Sequence, residues 1–296
     1  MSFFQQRNTI KTIIKKSKKN MALVSTEWLR KNLINKNIKI LDCSWHIPGT
    51  ERSGKVEFEN VHIPGSIFFD IDEFSDKTNS APHAILPGNI FSEMFGNLGV
   101  SNQDHIVVYD SLGIFSSPRV WWMLQYYGHK EVSILDGGLI KWLKEKKEIE
   151  TGKGRKYPKT NFKVIENKSL VKTYEHIKEN TANQTFQLID ARSKGRFLGT
   201  EPEPRKNIKS GSIPNSINFP WNECIDPETK CFLDKATLEK KFKSLKIKVD
   251  QPLAFSCGSG VAACVIGKAF NIITDQDVNI YDGSWTEWAS KEGLFT

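Results

Sequence analysis

At 296 residues the chain is long enough for about two domains of ~150 residues each, and with 39% hydrophobic and 26% charged residues it has no apolar run near the ~18 residues that would cross a bilayer. The formal charge of +8 loses its meaning for nucleic acid once it is located: Arg7, Lys11, Lys15, Lys16, Lys18 and Lys19 fall in the first 20 residues with no acid, leaving 36 basic against 34 acidic residues in the body. Five cysteines, an odd number with no C-x-x-C spacing, argue against a disulfide framework and a thiolate zinc site, and fit a reducing compartment.

In chain order, residues 1–20 read as a basic tail or an extension upstream of Met21, with a mitochondrial transit peptide as the alternative. The cytoplasm is the expected location. A helix follows from Ser25 to Leu33 with Ser25 as N-cap, then a strand over Ile38–Asp42. Helices over Ile90–Gly96 and Pro118–Tyr127 alternate with strands over His105–Tyr109 and Val132–Leu135. The Lys-, Gly-, Glu- and Pro-rich stretch beyond Lys144 is the expected linker, set at residues 149–168. Strands recur over Gln187–Asp190, Leu253–Ser256 and Val278–Tyr281.

The chain also repeats itself. Val61-His62-Ile63-Pro64-Gly65-Ser66-Ile67-Phe68-Phe69 returns as Gly211 through Phe219, and the Asp136-Gly137-Gly138 segment ending at Trp142 returns as Asp282-Gly283-Ser284 ending at Trp288. A period near 150 residues means duplicated domains, expected at 21–148 and 169–296. Alternating strands and helices imply an α/β fold with a parallel sheet flanked by helices in each copy.

The segment with most chemistry is Leu253-Ala-Phe-Ser-Cys257-Gly258-Ser259-Gly260-Val261-Ala262. It reads as strand, tight loop and helix (Val261 to Phe270), which aims Cys257 and several backbone N–H groups at one point over a helix N-terminus. A thiol held there is expected to have a depressed pKa and to act as a nucleophile, and the glycines let the backbone curl around the sulfur. Cys43, Cys224, Cys231 and Cys264 read instead as buried core residues, Cys264 facing the sheet two turns along the helix. Opposite the Cys257 loop, the first copy has a longer loop from Asp110 to Pro118 with no cysteine, so one domain carries the nucleophile and the other walls its site.

These residues closely resemble the two-domain rhodanese-type sulfurtransferases from about residue 22 to the end. Ile63-Pro64-Gly65, Phe68-Phe69-Asp70-Ile71-Asp72, Pro118-Arg119, Gly195-Arg196-Phe197, Glu201-Pro202-Glu203-Pro204-Arg205 and Tyr281-Asp282-Gly283-Ser284-Trp285 carry the likeness. Thiosulfate-using members have two basic residues directly after the cysteine. The neutral Gly258-Ser259-Gly260-Val261 is similar to the 3-mercaptopyruvate branch.

The resemblance implies a Cys257 persulfide that receives sulfur from 3-mercaptopyruvate, releases pyruvate and passes sulfur to thioredoxin, a small thiol or cyanide. It puts Arg196 and Arg205 on the donor carboxylate, because a guanidinium fork binds carboxylate bidentately. The N–H groups of Gly258, Gly260, Val261 and Ala262 would hold charge on sulfur. It implies a Ser259–His83–Asp72 relay across both domains, with Asp72 at a strand end. Arg192 and Arg119 read as structural ion-pair partners, and His62 as packing at the Ile63-Pro64-Gly65 turn. Ala262 stands where related loops carry Thr. No metal or organic cofactor is implied, and a monomer can enclose the cleft.

Two other functions compete: thiosulfate sulfurtransferase through the same persulfide, and a non-catalytic sulfur carrier or binding protein. The absence of a loop arginine argues against a third reading, a cysteine phosphatase, since positions 263 and 264 are Ala and Cys.

Overall fold

The computed structural model describes residues 22–296, so the expectations placed on residues 1–20 lie outside it. In the first half the strands are β1 (Leu23–Val24), β2 (Ile38–Asp42), β3 (Ser66–Phe68), β4 (His105–Tyr109) and β5 (Val132–Leu135). They form one parallel sheet in the order β1-β5-β4-β2-β3. The helices between them are α1 (Thr26–Asn32), α2 (Gly54–Asn60), α3 (Gly88–Asn97), α4 (Ser117–Tyr126) and α5 (Gly138–Lys144). The central strand β4 is a β-branched and aromatic run, buried at four of its five positions, as a parallel sheet covered on both faces requires. Ser25 caps α1 by accepting the Trp28 N–H at 3.1 Å.

The second half repeats the plan. Strands β6 (Val171–Lys172), β7 (Gln187–Asp190), β8 (Ile217–Asn218), β9 (Leu253–Ser256) and β10 (Ile280–Tyr281) pair in parallel in the order β6-β10-β9-β7-β8. Around them lie α6 (Tyr174–Asn183), α7 (Lys194–Leu198), α8 (Lys235–Ser244), α9 (Ala263–Thr274) and α10 (Ser284–Lys291). The expected strand over Val278–Tyr281 is shortened to its last two residues, and the helix expected from Val261 begins at Ala263 because residues 261 and 262 form a turn.

Residues 151–167 contain no helix or strand, yet they are laid along the first domain. Phe162 is fully buried among Phe91 and Phe95, and Ile165 N–H donates to Tyr127 O at 3.1 Å.

The two halves share one continuous apolar core. Helix α4 packs against α9, and α9 is apolar on nearly every face because it is covered by its own sheet and by the first domain. Three polar pins fix the orientation. Arg119 Nη2 donates to Asp282 Oδ1 at 2.7 Å, Ile85 N–H donates to Asp282 Oδ2 at 2.9 Å, and Trp122 Nε1 donates to Val278 O at 2.9 Å.

Candidate active site

Cys257 directly follows β9 and is 3% exposed. Its loop is held from behind by the start of α10. Ser284 Oγ accepts the N–H of Cys257 at 3.1 Å and of Gly260 at 3.0 Å while donating to Tyr281 O at 2.8 Å. Trp285 N–H donates to Cys257 O, and Thr286 donates to Gly258 O through both N–H and Oγ. Gly260 has φ +79°, a left-handed turn that an L side chain resists, and a Cβ there would meet Asp282 O at 3.0 Å. Among the described residues, the N–H groups of Gly258, Ser259, Val261 and Ala262 have no protein acceptor. The result is a cradle of backbone donors beside one sulfur, open to an anion.

Ser284 takes the left-handed region at φ +51° to do this, and nothing in its local sequence announced the role. Substituting Ser284 by Ala leaves two buried N–H groups unpaired, so we expect a loss of about 1–3 kcal/mol of stability and about a tenfold or greater drop in turnover as the cradle relaxes. A thermal melt and a sulfur-transfer assay on the same preparation check both.

The first domain contains the same device, already filled. By strand register Tyr109 is to Asp42 what Ser256 is to Asp190, so Asp110 occupies the position of Cys257. Its Oδ2 accepts the N–H groups of Phe115, Ser116 and Ser117 at 2.9, 3.1 and 2.9 Å, and Ser117 Oγ at 2.6 Å. A carboxylate thus sits in the cradle of one domain, while a thiol borders an open one in the other.

The cleft at Cys257 has a volume of about 270 Å³ and is walled by both domains, with Trp45, Ile47 and Phe115 facing Trp221, Arg196 and Arg205. Arg205 Nη2 donates to Ser259 Oγ at 3.2 Å, and burial drives its pKa below the ordinary arginine value. Arg196 reaches so close that a Cβ on Gly258 would meet its Nη2 at 2.9 Å. Its Nε and Nη2 also donate to Glu203, and the buried Arg192 donates to the same carboxylate and to Asp190. Arg192 is a structural partner of Asp190 and Glu203 and stacks on Trp285. Arg119 is likewise wholly buried in its pair with Asp282, and it donates to His83 O at 2.6 Å.

Residues far apart in the chain meet at Ser259. His83 Nδ1 lies 2.9 Å from Ser259 Oγ, and His83 Nε2 lies 2.9 Å from Asp72 Oδ1. The expected strand end at Asp72 is corrected: β3 stops at Phe68, and Asp72 belongs to the turn that follows, where Asp70 Oδ1 accepts its N–H. The His83 pKa is lowered, chiefly by burial, which outweighs the opposing pull of Asp72. Asp72 is itself lowered by its bond to His83.

The other four thiols differ from Cys257 in having no cradle, and all are unpaired. Burial pushes Cys43 and Cys224 well up and Cys264 up to about 12, while Cys231 rises less. Cys264 is fully buried, as expected of a core residue, and it donates to Gly260 O at 3.3 Å beside Arg119 of the first domain. His62 is fully buried, bonded through Nδ1 to Phe58 O and stacked on Phe58. Among the described residues, no cluster of His, Cys, Asp and Glu is placed to hold a metal ion, and no helix is long and apolar enough to cross a membrane.

Two tandem parallel α/β domains, one with a thiol beside an open amide cradle and one with its cradle filled by aspartate, define a duplicated cysteine-loop protein. The family model for the rhodanese-like domain matches residues 25–145 and 173–291, and the chain belongs to that family. It is 42% identical over 275 residues to human "3-mercaptopyruvate sulfurtransferase", covering 90% of this chain and 91% of that one. It is also 42% identical over 277 residues to rat "Thiosulfate sulfurtransferase", with the same coverage. Among solved structures, that of SseA from Escherichia coli, described with the mechanism of 3-mercaptopyruvate sulfotransferases, superposes with a TM-score of 0.82 at 34% identity, covering 90% of this chain and 99% of that one.

Proposed function

We propose that this protein is a sulfurtransferase that draws sulfur from 3-mercaptopyruvate through a Cys257 persulfide and passes it to a thiol such as thioredoxin, or to cyanide. The observation that carries the reading is the cradle itself: a thiol beside four unpaired N–H groups, with no cation at positions 258 and 259. The Cys257 thiolate attacks the substrate sulfur and the S–C bond breaks, with its electron pair moving into the enolate of pyruvate. The proton on the substrate sulfur is transferred to the enolate carbon. Persulfide and pyruvate are the products, and charge and protons balance without a cofactor. The loop N–H groups hold the negative sulfur in both cysteine states. Arg205 and Arg196 take the carboxylate.

The proton transfer gives Ser259, His83 and Asp72 their roles. With Asp72 accepting Nε2–H, His83 Nδ1 is left as an acceptor for the Ser259 hydroxyl. A neutral His83 can thereby take the thiol proton through Ser259 and return it to carbon. Burial lowers the His83 pKa, so the base is in its working form at neutral pH. Turnover of 3-mercaptopyruvate should therefore be flat through neutral pH and fall only as acid protonates His83, below the ordinary histidine value of about 6.5. A pH–rate profile of intact protein and His83→Gln tests this: the variant should lose about 100-fold in rate and lose the acid limb with it. An unchanged profile would remove the relay.

Thiosulfate as donor is the second reading, favoured by the equal identity to a relative of that name. That transfer releases sulfite and moves no proton, so it draws on Cys257 and the two arginines alone. The five unpaired thiols fit a reducing compartment, the cytoplasm or the mitochondrion. One chain supplies both walls of the cleft, so a monomer suffices.

A further inference from the structure

Asp72 is a weakly anchored end for a proton relay. Its side chain is 53% exposed, and a carboxylate in water rotates among many partners. What restrains it, besides His83, is Trp45. The indole Nε1 donates to Asp72 at 3.1 Å to Oδ2 and 3.3 Å to Oδ1, bridging both oxygens. The same indole meets the His83 ring edge to face, with centroids 4.8 Å apart at 86°. It also lines the cleft in front of Cys257 and stacks at 6.2 Å with Phe115. One side chain thus touches the carboxylate, covers the imidazole and faces the substrate.

We propose that Trp45 is a positioning residue of the first domain, which holds Asp72 in register with His83 and shields the imidazole from water. The inference rests on the relay reading above. Its physical content is twofold. The N–H donor holds the Asp72 carboxylate facing His83 Nε2, and an acceptor kept at Nε2 sets the tautomer that leaves Nδ1 free to accept from Ser259. The ring body keeps His83 dry, and that burial holds its proton affinity down against the attraction of Asp72. The other charged groups facing His83 are Arg119, on its carbonyl, and Arg205, on the far side of Ser259. Both act against a positive charge on the ring.

Two substitutions separate the roles. Trp45→Phe keeps an aromatic cover and removes the donor; Trp45→Ala removes both. The readouts are kcat/KM for 3-mercaptopyruvate, its pH profile, and the rate of Cys257 alkylation by iodoacetamide, which involves no relay. We expect Trp45→Phe to lower kcat/KM by about three- to tenfold, the net worth of one hydrogen bond at a half-exposed carboxylate, with alkylation unchanged. Asp72→Asn should reproduce that loss. In Trp45→Ala the acid limb should move up toward the ordinary histidine range as water reaches the ring. The proposal is overturned if Trp45→Phe matches the intact protein, or if turnover and alkylation fall in parallel in both variants, which is the signature of a disturbed cleft. His83→Gln distinguishes the two levels. If it retains turnover, the relay and this inference fail together; if it loses turnover while the Trp45 variants do not, only the inference fails.

Discussion

Replacing Cys257 by serine will abolish sulfur transfer from either donor, by about a thousandfold or more, because an alcohol in the same cradle is a poor nucleophile and its adduct would not carry transferable sulfur. The protein should stay folded. The Cys257 N–H is held by Ser284 and its carbonyl by Trp285, and neither bond involves the side chain. Intact-mass measurement after exposure to donor without acceptor should show one added sulfur atom on the native chain and none on the variant. A variant that still acquires sulfur would mean that another thiol carries the chemistry. The four candidates are poor ones, since each is buried and has its pKa raised by that burial.

The second large effect lies at the domain interface, where Arg119→Leu strips the partner from Asp282. Arg119 has no exposed surface, and Asp282 is 14% exposed. Removing one member of a buried pair costs about 3–5 kcal/mol because the remaining charge is left without compensation. Asp282 would keep only the Ile85 N–H on its other oxygen. A fall of that size should appear as a clear drop in the urea midpoint, and a second substitution, Asp282→Leu, should restore much of the stability, since an apolar pair of similar volume is tolerated. Activity should not return with it. Arg119 also donates to His83 O, and His83 sits at φ +61°, a strained backbone that its surroundings must hold. Recovery of 3-mercaptopyruvate turnover in the double variant would show that the pair serves stability alone.

Much of this architecture was legible in the amino-acid sequence. The repeat predicted duplicated α/β domains, and the buried runs at Ile38–Asp42, His105–Tyr109 and Leu253–Ser256 emerged as central strands because period and composition agree there. The Cys257 loop was legible for the same reason: strand, glycines and helix are contiguous. What stayed hidden is what depends on distant segments. Ser284, Trp45 and Glu203 have ordinary local surroundings, and they matter through partners on other elements. Asp110 is an instructive case. Its loop was recognised as the counterpart lacking cysteine, but its filling of the cradle emerges only when strand register equates it with Cys257. The Val278–Tyr281 strand shortened because only Ile280 and Tyr281 pair with β6.

The central claim is that a neutral loop at Cys257 selects 3-mercaptopyruvate, and kcat/KM for 3-mercaptopyruvate and thiosulfate, measured side by side on the intact chain, tests it most directly. The account predicts that 3-mercaptopyruvate is preferred by more than about tenfold, equivalent to ~1.4 kcal/mol of transition-state binding. A preference for thiosulfate would contradict it, and would mean that Arg196 and Arg205 hold the donor anion without help from the residues after the cysteine.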